Sequence, residues 1–94
     1  MSDDLKEILY GKTIKMKLAD GKDYTFREPD LDTLSSLTQE DLSNAKKMAW
    51  IMMRYDNPGL TEAMVGRLIT ASMFESVTRA IAKLMGREED GKNV

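Results

Sequence analysis

The sequence contains no cysteine and no histidine, and only two prolines, six glycines and one tryptophan among 94 residues. Without Cys or His there is no Ser-His or Cys-His nucleophile pair, no imidazole base, no thiolate, no disulfide framework and no ordinary zinc site. No apolar run approaches the roughly 18 residues that a membrane-spanning helix needs. The acidic start Met1-Ser2-Asp3-Asp4 is unlike a signal peptide. An excess of one charge is missing too: 14 Lys plus Arg stand against 16 Asp plus Glu, for a net charge of −2. That balance gives no global field to draw in nucleic acid. These absences remove most common catalytic chemistry and leave binding as the leading class. The expectation is an unexported, non-enzymatic protein that takes no cofactor and meets neither membrane nor nucleic acid.

What is present is 41% apolar and 32% charged residues with the signs interspersed, a composition that folds. The length fits one domain with one modest core, spanning residues 1–94. The expected class is α+β and mostly helical: an N-terminal antiparallel β-hairpin at 13–28, packed on a bundle of three to four α-helices at 30–86. A flexible tail follows at 87–94. Ser2 to Tyr10 reads as a short helix with Leu5, Ile8 and Leu9 on one side and Gly11 as its stop.

Strict alternation runs through Thr13-Ile14-Lys15-Met16-Lys17-Leu18 and again through Asp23-Tyr24-Thr25-Phe26-Arg27, which is a hairpin signal. A two-residue Asp20-Gly21 loop would put the two apolar rows on opposite faces. A three-residue loop Ala19-Asp20-Gly21, with Gly21 in a left-handed bulge, pairs Met16 with Tyr24, Ile14 with Phe26 and Lys17 with Asp23. The bulged register is therefore predicted. Two strands are marginal alone, so the Ile14, Met16, Leu18, Tyr24, Phe26 face needs a cover.

Pro29 ends the second strand. Asp30 then caps a helical turn carrying Leu31, Leu34 and Leu37, and Thr38 caps a helix running to Tyr55. Asn57-Pro58-Gly59 breaks that helix. Thr61 caps a third through Ile69. Ser72 and Glu75 are expected to form a capping box opening a fourth helix to Met85. There Met73, Phe74, Val77, Ala80, Ile81, Leu84 and Met85 share one arc opposite Glu75, Arg79 and Lys83.

The Gln39–Tyr55 segment carries the candidate binding residues. Leu42, Ala45, Ala49, Met52 and Met53 form a stripe that Met48, Ile51 and Tyr55 widen, and so wide a stripe implies contacts on two sides. The hairpin and the last helix are one pair of covers. A partner is the alternative for the edge bearing Met48, Trp50 or Met52, because unbranched Met adapts to varied apolar shapes and Trp is enriched at interfaces. With Met64 from the next helix, these four are the candidate partner-binding residues. The basic residues Lys46, Lys47, Arg54, Arg67, Arg79, Lys83 and Arg87 are interleaved with acids and read as a solvated face rather than a DNA surface. Glu28-Pro29-Asp30-Leu31-Asp32 lacks calcium-loop spacing and reads as a strand end plus a helix cap.

The order of elements carries a family resemblance. A strand pair closing on Asp20-Gly21-Lys22-Asp23-Tyr24-Thr25-Phe26-Arg27-Glu28-Pro29 precedes a helical half. That half contains Asn57-Pro58-Gly59-Leu60-Thr61-Glu62, an amphipathic helix and an ending at Leu84-Met85-Gly86 with a polar tail. Over roughly Thr13 to Gly86 this resembles the small tail assembly chaperones of long-tailed bacteriophages and prophages. The resemblance implies a non-enzymatic protein of the host bacterial cytoplasm, absent from the mature virion. Its implied role is to coat the long helical tape measure protein during virion assembly and to help bring tail tube protein subunits to it, with self-association as a further possibility. A longer form made by ribosomal frameshifting is also implied, and would begin in the Arg87 to Val94 tail. The competing readings are a small regulatory, DNA-binding or antitoxin-like interaction module, and a minor structural subunit of the virion.

Overall fold

Alternation in the first half of the chain and helical periodicity in the second translate into a two-stranded antiparallel hairpin followed by five α-helices. The computed structural model describes residues 11–86. The helix expected over Ser2 to Tyr10 and the tail from Arg87 to Val94 lie outside the described residues.

Strand β1 (Thr13–Lys17) pairs with β2 (Asp23–Arg27) in the bulged register: Ile14 faces Phe26, Met16 faces Tyr24 and Lys17 faces Asp23. Gly21 has φ +82° and donates to the Leu18 carbonyl at 2.9 Å, while the Leu18 amide reaches the Lys22 carbonyl at 3.1 Å. The extra residue in the turn is what keeps both apolar rows on one face. On the other face Lys17 Nζ lies 3.6 Å from Asp23.

The helical half begins with α1 (Leu31–Ser35), capped by the Asp30 carboxylate, which accepts from the Thr33 amide at 2.8 Å. Helix α2 (Gln39–Leu42) opens with a reciprocal capping box: the Thr38 hydroxyl accepts from the Asp41 amide at 3.0 Å, and the Asp41 carboxylate accepts from the Thr38 amide at 2.9 Å. The single helix expected from Gln39 to Tyr55 is in fact two. The Ser43 hydroxyl turns back to the Gln39 carbonyl, and the Asn44 side chain accepts from the Lys47 amide at 3.1 Å, starting α3 (Ala45–Arg54). Ser and Asn compete for backbone hydrogen bonds in this way, which is why a Ser-Asn pair divides a helix.

Thr61 caps α4 (Glu62–Leu68) as expected, accepting from the Met64 amide at 3.2 Å. The Ser72–Glu75 capping box does not form. A single 3₁₀ turn, Ala71–Met73, leads into α5 (Phe74–Leu84) with no side-chain cap, and the Glu75 carboxylate instead accepts from Arg79 one turn on, at 2.9 Å. Helix α3 lies at the centre, packed on β2, α2, α4 and α5, while α5 also reaches both strands. Phe26, Met48, Ile51, Met52, Met53, Val65 and Val77 are fully buried, and no polar or charged residue among those described is buried. Each such side chain contributes about 1.5–3 kcal/mol through the area it removes from water.

Candidate functional site

The central position of α3 decides the fate of the residues expected to meet a partner. Met48 and Met52 are 1% and 0% exposed and belong to the core. Both sides of the wide stripe are occupied by elements of the same chain, so these two methionines have no surface to offer. Trp50 is half-buried at the margin of the core. Its indole Nε1 donates to the Leu60 carbonyl at 2.8 Å, and the Arg54 guanidinium carbon sits 4.6 Å from the ring centroid. Trp50 thus fastens the α3–α4 connection. Met64 alone of the four is exposed, at 48%. The structure gathers Met48, Trp50 and Met52 around one core and leaves Met64 on the surface.

The surface feature that periodicity did not locate is a shallow apolar depression of about 130 Å³ where α3, α4 and α5 meet, lined by Ala45, Lys46, Val65, Gly66, Ile69, Phe74 and Val77. Phe74, placed by the helical wheel on the buried arc of the last helix, is instead 54% exposed. The 3₁₀ turn before α5 sets the helix start at Phe74 itself, and the ring comes to lie on the depression rather than in the core.

Gly66 forms part of this lining and occupies an interior position of α4, where glycine costs roughly 0.5–1 kcal/mol against alanine. A Cβ there would meet the Lys46 side chain at 3.1 Å, so the aliphatic stem of Lys46 lies across the missing side chain. An isolated glycine inside a helical pattern is the sequence signal for such a close approach.

Two of the basic residues expected to form a solvated face have acidic partners. Lys47 lies 3.4 Å from Asp41, and Arg79 lies 2.9 Å from Glu75. The acidic run after the hairpin has local work as well: Glu28 accepts from the Lys12 amide at 3.0 Å, and Asp30 caps α1. Hydrogen bonds hold three carboxyls below the ordinary aspartate range. Asp20 is lowered chiefly by the Tyr24 hydroxyl, Asp30 by the Thr33 amide and Asp41 by the Thr38 amide. The hydrogen bond to Asp20 in turn raises Tyr24. Among the described residues no group of three or more carboxylates is placed to hold a metal ion, and no helix is long and apolar enough to cross a membrane. No family model, no curated protein and no solved structure matches the chain.

Proposed function

We propose that the protein is a non-enzymatic assembly chaperone of long-tailed bacteriophages or prophages, which binds the helical tape measure protein and helps recruit tail tube subunits in the host cytoplasm. The observation that carries this reading is the apolar depression between α3, α4 and α5, with exposed Phe74 on it and Gly66 in its lining. An amphipathic helix seats its apolar anchors in a shallow groove of this kind. Gly66 adds no side chain to this lining, at a local cost in helix stability. Contacts at one such groove are weak, and many copies along one long helical partner supply the avidity. The order of hairpin, Asn57-Pro58-Gly59 break and terminal amphipathic helix, which resembles that family, points the same way.

Co-expression with a tape measure protein tests the reading. The partner is expected to stay soluble and to co-purify with the wild-type chain, and to do so much less with Phe74→Ser. Unchanged partner solubility with no co-purification overturns it. Tight operator binding near physiological salt would favour the regulatory alternative instead. Presence of the chain in purified particles would favour the structural one.

A further inference from the structure

On the opposite flank of α5 from Phe74, the outer edge of β1 meets no further strand among the described residues. The register and the two flanking hydrogen bonds, Glu28 N–H to the Lys12 carbonyl and Leu18 N–H to the Lys22 carbonyl, fix which residues of β1 point their backbone toward β2. In an antiparallel ladder these alternate, so Ile14 and Met16 are bonded inward, while Thr13, Lys15 and Lys17 aim their N–H and C=O groups away from the sheet. No backbone partner for those outward groups occurs among the described residues. Beside this edge a depression of about 190 Å³ runs between β1 and α5, lined by Ile14, Met16, Ser76, Arg79, Ala80 and Lys83. The exposed basic side chains on and around the edge, Lys12, Lys15, Lys17 and Arg79, outnumber the exposed acids beside them, Asp23 paired with Lys17 and Glu75 paired with Arg79.

We propose that the β1 edge is a docking site for an extended acidic segment of a partner protein, which adds as a third strand to the hairpin. Its alternate apolar side chains enter the depression over Ile14, Met16 and Ala80, and its intervening carboxylates lie beside Lys15 and Lys17. Main-chain hydrogen bonds supply the affinity in this mode and the alternating pockets supply the selectivity. Charge chooses the occupant. A second copy pairing antiparallel about Lys15 would set Lys15 against Lys15, and a parallel copy would align the whole lysine row with itself, which like charges disfavour. Edge lysines discourage pairing between copies, and the same charge selects a strand of opposite sign. This inference goes beyond the helix-binding reading and uses none of its residues.

The test uses the full chain and a capped nonapeptide alternating valine and glutamate, with a valine–lysine peptide as its counterpart. The acidic peptide is expected to slow hydrogen exchange at the Lys15 and Lys17 amides at least tenfold while leaving Ile14 and Met16 unchanged. The basic peptide is expected to do neither. Two further acidic peptides, each N-methylated on one alternate set of backbone nitrogens, separate a strand from a merely charged ligand. One set should lose binding at least tenfold and the other keep it, because only alternate residues face the edge. Lys15→Pro removes an outward donor without touching the ladder to β2, and should weaken binding well beyond Lys15→Ala. Equal binding by both methylated peptides, equal effects of the two Lys15 variants, or protection at Gly66 and Phe74 in place of β1 would each overturn the proposal.

Discussion

The guanidinium of Arg27 meets the carboxylate of Asp56 at two points, Nε to Oδ2 at 3.1 Å and Nη2 to Oδ1 at 2.9 Å, across 29 residues of chain. This fork ties the end of β2 to the residues just past α3, closing the hairpin onto the central helix. A two-point guanidinium–carboxylate pair fixes direction as well as distance. The double-mutant cycle Arg27→Ala with Asp56→Ala is expected to give a coupling of about 0.5–1 kcal/mol in urea unfolding. Arg27→Lys should recover little of it, because an ammonium cannot reproduce the fork.

Burial separates the methionines into two groups with different consequences. Met53→Ala and Met52→Ala each leave a cavity at a fully buried site and should cost about 2–4 kcal/mol. Met64→Ala, on the exposed side of α4, should change stability by no more than about 0.5 kcal/mol. Chemical denaturation of the three variants decides between core and surface roles for each methionine.

Gly66→Ala sets stability against binding. Alanine is the better helix former, and the atom in its way, 3.1 Å from the new Cβ, belongs to the flexible exposed side chain of Lys46. Stability should therefore rise by about 0.5–1 kcal/mol. The added methyl narrows the depression beside Phe74, so capture of a helical partner should fall. A stabilised variant with undiminished capture would show that the glycine does not serve partner binding.

Acid should destabilise the protein in a defined window. Asp20, Asp30 and Asp41 have carboxyls held below their ordinary value by hydrogen bonds. Their contribution is complete above the unfolded aspartate value of about 3.9 and is lost as pH falls through the lower folded values. Asp30→Asn keeps a capping acceptor but cannot titrate, as does Asp41→Asn, so melting temperature should fall less steeply below pH 4 in these variants. The Asp20–Tyr24 bond has a second signature at the alkaline end. Tyr24 is raised, so its contribution is present below the ordinary tyrosine value of about 10 and disappears as pH climbs through the higher folded one.

The hairpin register could be read from the chain because parity leaves only one solution that keeps Ile14, Met16, Tyr24 and Phe26 on a common face. The caps at Asp30, Thr38 and Thr61 were legible for a similar reason, since each is a local hydrogen bond between residues three apart. The division at Ser43-Asn44 was signalled by residue type but outweighed by the apolar period running through it. The burial of Met48 and Met52 comes from cover by β2, α4 and α5 around α3, and the period of α3 alone does not name its covers. Phe74 keeps its place on the wheel beside Val77, but it is the first residue of α5, and helical period does not say whether another element covers that end of the face. Arg27 with Asp56, and Lys46 with Gly66, join distant segments, and no local pattern encodes such meetings.

The bond from Trp50 to the Leu60 carbonyl has an optical consequence. This is the chain's single tryptophan, and its indole is held half out of water by one backbone oxygen, with the Arg54 cation over its face. Opening of the α3–α4 connection breaks the hydrogen bond to Leu60 and hydrates the ring, while Arg54 stays one turn away on the same helix. Fluorescence emission at 295 nm excitation then reads the state of one loop, without a label and without a background from any second indole.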